Sequence, residues 1–139
     1  MKKETGLWID RRKAIIVTLS DGTEDIRIVE SNVDRRVRRA GGSRSRSPFG
    51  PQEIMAERKR ENEFADQLAR YYSEVVACLR DAQSIVILGP GEARIELKKC
   101  LERERLGERV VCVEAADKMT DRQIVARIRQ HFHNRRQTA

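Results

Sequence analysis

The sequence is poor in the features that let a chain span a membrane, cross-link itself or stack on bases. Its apolar runs are short, as in AIIV at 14–17 and IVIL at 85–88, against the roughly 20 consecutive apolar residues of a membrane-spanning helix. No transmembrane segment is expected. The opening MKKETGLWID places Glu4 and Asp10 soon after two lysines and contains no apolar stretch of the length a secretory signal requires, so export is not expected either. The three cysteines, Cys78, Cys100 and Cys112, are odd in number, lack CxxC spacing and fall within apolar-periodic segments. They read as buried thiols of a protein kept in a reducing compartment, the cytoplasm. Aromatic residues number one Trp, two Tyr and three Phe. Most fall on apolar faces, which leaves no stacking platform of the kind single-strand RNA binders use. Phe49 is the exception, set in a polar segment where it would stack on a base or anchor the chain's return. No internal repeat and no cofactor-binding motif is visible. The 139 residues predict a single domain, 1–139, able to bury a core without a metal or a disulfide framework.

Charge is abundant and unevenly placed. The formal net charge is +7, and between Val33 and Gln52 six arginines (Arg35, Arg36, Arg38, Arg39, Arg44, Arg46) face one acid, Asp34, a local +5. The rest of the chain is nearly neutral. The same stretch holds Gly41, Gly42, Gly50, Pro48, Pro51 and three serines, a composition that sustains neither a helix nor a central strand. It predicts a loop at 33–52, longer than the ~12–15 residues usual in compact domains. Guanidinium forks match phosphate geometry and a concentrated basic patch attracts nucleic acid. The plainer reading is a solvated tether.

Residues 6–19 form two apolar runs broken by Asp10-Arg11-Arg12-Lys13, a hairpin pattern. Asp21-Gly22 supplies a second turn, and Asp25 to Ser31 alternates, with Ile26, Ile28 and Glu30 on one face and Arg27, Val29 and Ser31 on the other. From Gln52 to Asp81 no Gly or Pro interrupts, and Phe64, Leu68, Tyr72, Val75 and Leu79 recur at helical spacing. Its first turns, EIMAERKRENE, are so charged that this end should project past the sheet. Ser84–Leu88 reads as a buried parallel strand, Gly89-Pro90-Gly91 ends it, and a helix is expected over 92–105. A strand at 109–114 follows. Thr120 with Gln123 makes a capping box for a last helix carrying Ile124, Ile128 and Phe132, which runs into a short basic tail at 134–139. The order β-β-β-α-β-α-β-α predicts an α/β, ribonuclease H-like fold: a five-stranded mixed sheet, an antiparallel meander plus two parallel strands, with helices on its faces.

The hairpin WIDRRKAIIV, the loop RRAGGSRSRSPFG, the helix pieces ERKRENEF and YYSEVV and the strand-turn-helix VILGPGEARIELKK, in this order over residues 6–114, resemble the middle domain of eukaryotic and archaeal peptide-chain release factors and of Pelota. Small stand-alone prokaryotic proteins share that pattern. In release factors the corresponding loop carries a Gly-Gly-Gln tripeptide that enters the ribosomal peptidyl-transferase centre and promotes peptidyl-tRNA hydrolysis. Here Gly41, Gly42 and Ser43 stand in its place. The glycines suit a backbone that passes close to RNA. The serine hydroxyl is too short to hold a water where a glutamine amide would reach, so the resemblance implies binding to ribosomal RNA or tRNA, and to ribosome-associated proteins, without the hydrolysis. The chain has no room for the other release-factor domains, and stop-codon reading is not expected of it.

The sequence admits other chemistries. A ribonuclease H-like fold admits a metal-dependent nuclease, which needs clustered carboxylates holding two ions about 3.5–4 Å apart. Asp10, Glu30, Asp81 and Glu114 lie near strand or helix ends, but do not converge on one sheet edge in the sequence pattern. Residual peptidyl-tRNA hydrolysis is the other enzymatic alternative. Gly89-Pro90-Gly91 lacks P-loop and GxGxxG spacing, and Glu92 sits where a phosphate would go, so it reads as a strand-to-helix turn. His131 and His133, two apart, fall on different helix faces and read as part of the basic tail and not as a metal pair. A protein-interaction module, with loop and long helix gripping an acidic partner or a second copy, is the remaining alternative.

Overall fold

The computed structural model describes residues 3–32 and 51–138. Three antiparallel strands, β1 (Glu4–Ile9), β2 (Lys13–Ser20) and β3 (Thr23–Glu30), are followed by a long helix α1 (Pro51–Leu79). Strand β4 (Ser84–Gly89), helix α2 (Ala93–Arg103), a 3-10 turn (Gly107–Arg109), strand β5 (Val110–Ala115) and helix α3 (Asp121–Thr138) complete the described chain. The five strands lie in the order β3-β2-β1-β4-β5. β1 pairs antiparallel with β2 and parallel with β4, and β4 pairs parallel with β5. The mixed α/β sheet expected from the element order is therefore the one observed.

Side chains alternate across a strand, and the central strands are apolar on both faces because both are covered. Leu7 and Ile9 point with Ile16, Ile85 and Ile87 into a core closed by Tyr71, Tyr72, Val75, Val76 and Leu79 of α1 and Leu97 and Leu101 of α2. Trp8 points the other way, with Ile15, Val17, Val86 and Leu88, into a second core closed by Ile124, Ile128 and Phe132 of α3. Gly6 lies under α3: a Cβ there would stand 2.6 Å from the Ile128 side chain, so the glycine sets how closely the helix approaches the sheet. The capping box forms as expected, with the Thr120 amide donating to Gln123 Oε1 at 2.9 Å and the Gln123 amide to Thr120 Oγ1 at 3.2 Å.

Two expectations are modified. Ile26 and Ile28 do share a face, but they are 44% and 52% exposed, and the apolar residue of β3 that packs is Val29. β3 is the outermost strand, and α3 covers the sheet only as far as Ile15 and Val17, while Val29 lies over the α1 side. The second difference is at the C-terminal end: α3 continues through Thr138, carrying the basic residues 134–138 as further helix, in keeping with the helix propensity of Arg and Gln.

Candidate functional site

Every residue singled out for RNA binding, Arg35, Arg36, Arg38, Arg39, Gly41, Gly42, Ser43, Arg44 and Arg46, lies outside the described residues, as does Phe49. What is described is the frame from which that segment leaves and the helix that follows it. The segment leaves after Asn32, at the sheet end where β1 and β4 have their carboxyl termini, the end at which open α/β sheets bind their ligands, and the described chain resumes at Pro51, the first residue of α1.

This end is built around the β1–β2 hairpin. The Asp10 amide donates to the Lys13 carbonyl at 3.0 Å, and Asp10 Oδ1 accepts from the amides of Arg12 and Lys13, both at 2.8 Å. Asp10 is thus a turn-capping residue. Ser31, at the exit of β3, locks onto the same turn: its amide donates to the Arg12 carbonyl at 2.8 Å and its hydroxyl to the Arg11 carbonyl at 2.6 Å. Asn32 then adopts a positive φ of 58°, a conformation Asn tolerates better than most residues, and turns the chain out toward the basic segment. From the other side, the Tyr71 hydroxyl of α1 donates to the Asp10 carbonyl at 2.8 Å. The exit of β3 and the body of α1 are therefore both fixed to one hairpin tip.

A second network backs the first. The Arg11 guanidinium forks onto Glu96 of α2, with Nε at 3.3 Å from Oε1 and Nη2 at 2.9 Å from Oε2, and the Tyr72 hydroxyl donates to Glu96 Oε1 at 2.5 Å. Burial alone would raise the Glu96 carboxyl, but the hydrogen bonds from Arg11 and Tyr72 outweigh it and hold the group below the ordinary carboxylate range. Burial pushes both tyrosine hydroxyls well up, Tyr71 further beside Asp10 and Tyr72 further by its bond to Glu96; they serve as donors. Between the hairpin tip and the Pro90–Ala93 turn lies an open cleft of about 350 Å³, lined by Asp10, Arg11, Arg12, Gly91 and Glu92 among others. Gly89 closes β4 with φ 152°, where a Cβ would meet the Ile9 carbonyl at 2.1 Å. The Gly89-Pro90-Gly91 stretch is a strand-to-helix turn, with Glu92 accepting the amides of Ile95 and Glu96.

Beyond Tyr71 toward its N-terminus, α1 keeps one core contact through Leu68 and then leaves the body of the protein. No residue from Met55 to Arg70 is buried, although Arg60, Phe64, Gln67 and Leu68 are half-covered. At ~1.5 Å per residue this is an arm of about 24 Å. Its four acids and four bases over 55–70 balance, so the arm itself adds nothing to the cationic surplus of the segment that follows β3.

The four carboxylates considered for a nuclease are dispersed. Asp10 caps the hairpin, and Asp81 pairs with Lys3 at 3.9 Å at the opposite end of the sheet. Glu30 is exposed at the end of β3. Glu114, on β5, receives Arg127 and lies 2.5 Å from His131 Nε2. His131 is half-buried in α3 and not part of a loose tail, while His133 is exposed. The Arg11–Glu96 and His131–Glu114 partnerships escaped the sequence reading; the signals available were the repeated acids Glu92 and Glu96 one helical turn apart and the Cys112-x-Glu114 spacing that puts both side chains on one strand face.

No protein-family model matches the sequence, and no curated protein matches it. Solved structures do. The Pelota protein of Thermoplasma acidophilum superposes with a TM-score of 0.55 at 20% identity, over 90% of this chain and 31% of its own. The Pelota protein of Archaeoglobus fulgidus superposes with a TM-score of 0.55 at 14% identity, over 92% of this chain and 31% of its own. An archaeal translation termination factor aligns with a TM-score of 0.47 at 17% identity, over 91% of this chain and 34% of that one. The chain thus spans 31% of the length of the Pelota proteins it resembles and has the fold of one of their domains, consistent with a domain like the middle domain of release factors. Among the described residues, no helix is long and apolar enough to cross a membrane.

Proposed function

We propose that the protein is a translation-associated RNA-binding protein that docks on ribosomal RNA or tRNA through the arginine-rich segment 33–52. The observation that supports the reading is a +5 segment in the sequence that follows Ser31, which is fixed to the hairpin tip, and precedes the projecting end of α1. The arginines meet phosphates around the Gly41-Gly42 pair. The Pelota-like fold favours the ribosome as the source of the RNA and the cytoplasm as the compartment. Ser43 in place of a hydrolytic glutamine makes this a binding function without peptide release. Ribosome-associated proteins are the partners this role brings into contact with it.

The test is the salt dependence of RNA binding. With six arginines on phosphates, log affinity falls against log salt with a slope of roughly −4 to −5, at about 0.7–0.9 per contact. A slope near zero excludes the proposal.

A further inference from the structure

β5 is an edge strand of the sheet, and α3 reaches it through Arg127 and His131, which meet Glu114. Cys112 and Glu114, two residues apart, point to the same face of β5, and His131 of α3 comes down over them. One donor atom from each of the three lies within 4.8 Å of the others, and all three residues are half-buried. His131 Nε2 stands 2.5 Å from Glu114 Oε2, while the second carboxylate oxygen, Oε1, receives the Arg127 guanidinium. We propose that Cys112 Sγ, Glu114 Oε2 and His131 Nε2 form a binding site for a borderline-soft divalent cation of the Zn²⁺ class, which clips α3 to the edge strand.

The donor set selects the metal class. A thiolate and an imidazole favour Zn²⁺ over Mg²⁺ or Ca²⁺, which take oxygen donors. Zn²⁺ distances of about 2.0–2.3 Å to N, O and S require the ligand atoms to stand in a triangle slightly wider than the present Nε2–Oε2 contact and slightly tighter than the outer spacing. Side-chain rotation of His131 and Cys112 supplies this. Arg127 on Oε1 leaves Oε2 as the single ligating oxygen and orients the carboxylate, the part an outer-shell residue plays at metal sites. Three protein ligands leave a fourth position for water or a donor from a partner. On binding, the Cys112 thiol loses its proton to solvent. Without a cation the same residues make an Arg127–Glu114–His131 chain of hydrogen bonds beside a thiol.

The test uses the tag-free full chain. Co²⁺ is titrated in, and the thiolate-to-cobalt charge-transfer band is followed, then displaced with Zn²⁺. The expected result is one equivalent bound, a band retained in Cys78→Ser and Cys100→Ser and lost in Cys112→Ser, and affinity lowered more than about tenfold in His131→Ala. Zn²⁺ should also shield Cys112, and not Cys78 or Cys100, from alkylation in the wild-type protein, which reads the site even where Cys112→Ser does not fold. Absence of the band in folded wild-type protein, a band unchanged in His131→Ala, or equal alkylation with and without Zn²⁺ overturns the proposal.

Discussion

The Tyr71 hydroxyl donates to the Asp10 carbonyl at 2.8 Å across 61 residues of sequence, and Tyr71 is the first buried residue of the long helix among those described. Tyr71→Phe keeps the ring in the core and deletes the bond, leaving a partly buried carbonyl without this donor. The expected cost is about 1–2 kcal/mol, read as a lower urea midpoint with unchanged slope.

The Glu96 and Glu114 carboxyls make the fold acid-sensitive. Both are held below the ordinary range, Glu96 by Arg11 and Tyr72 against its burial and Glu114 by Arg127 and His131. The unfolded chain therefore binds more protons than the folded one as pH falls through the carboxylate region, and stability is lost there. It is fully present above the unfolded value of ~4.3 and declines as pH drops toward the lowered folded values. Glu96→Gln and Glu114→Gln each flatten this part of the stability-against-pH curve, and an unchanged curve would contradict the two networks.

Gly6 and Ile128 are coupled through the 2.6 Å approach described above. Gly6→Ala should cost about 1–3 kcal/mol by overpacking, and Ile128→Ala about 2–5 kcal/mol by the cavity it leaves. In the double variant the new methyl occupies space the isoleucine vacated, so its cost is less than the sum of the two. A denaturation cycle measures the difference.

Much of this fold was legible in the sequence because it rests on local signals. Alternation marked the strands, the unbroken 3.6-residue stripe marked α1, and Thr120 with Gln123 marked the start of α3. The projection of α1 was legible too, since EIMAERKRENE offers almost nothing to bury. What escaped depended on strand order. Whether Ile26 or Val29 packs is decided by β3 being at the edge, and no window of eight residues contains that information. The Arg11–Glu96 fork joins residues 85 apart and the His131–Glu114 contact residues 17 apart, and both exist only once β4 and β5 are laid beside β1. The arginines 35–46 were singled out by composition, and the described structure shows only the anchor that precedes them, at Ser31.

Stability and binding should separate cleanly. If Arg35, Arg36, Arg38, Arg39, Arg44 and Arg46 serve binding, changing all six to alanine should leave the unfolding free energy within about 0.5 kcal/mol of wild type while RNA affinity collapses and its salt slope flattens. A variant that unfolds would show that these arginines maintain the fold instead.

The most direct measurement of the central claim is co-sedimentation of the purified protein with ribosomes on a density gradient, beside the six-arginine variant. The account predicts that the wild type travels with a ribosomal fraction and the variant stays at the top. If both remain at the top, or both travel with the ribosome alike, the arginine-rich segment is not a ribosome-binding device and the account is wrong.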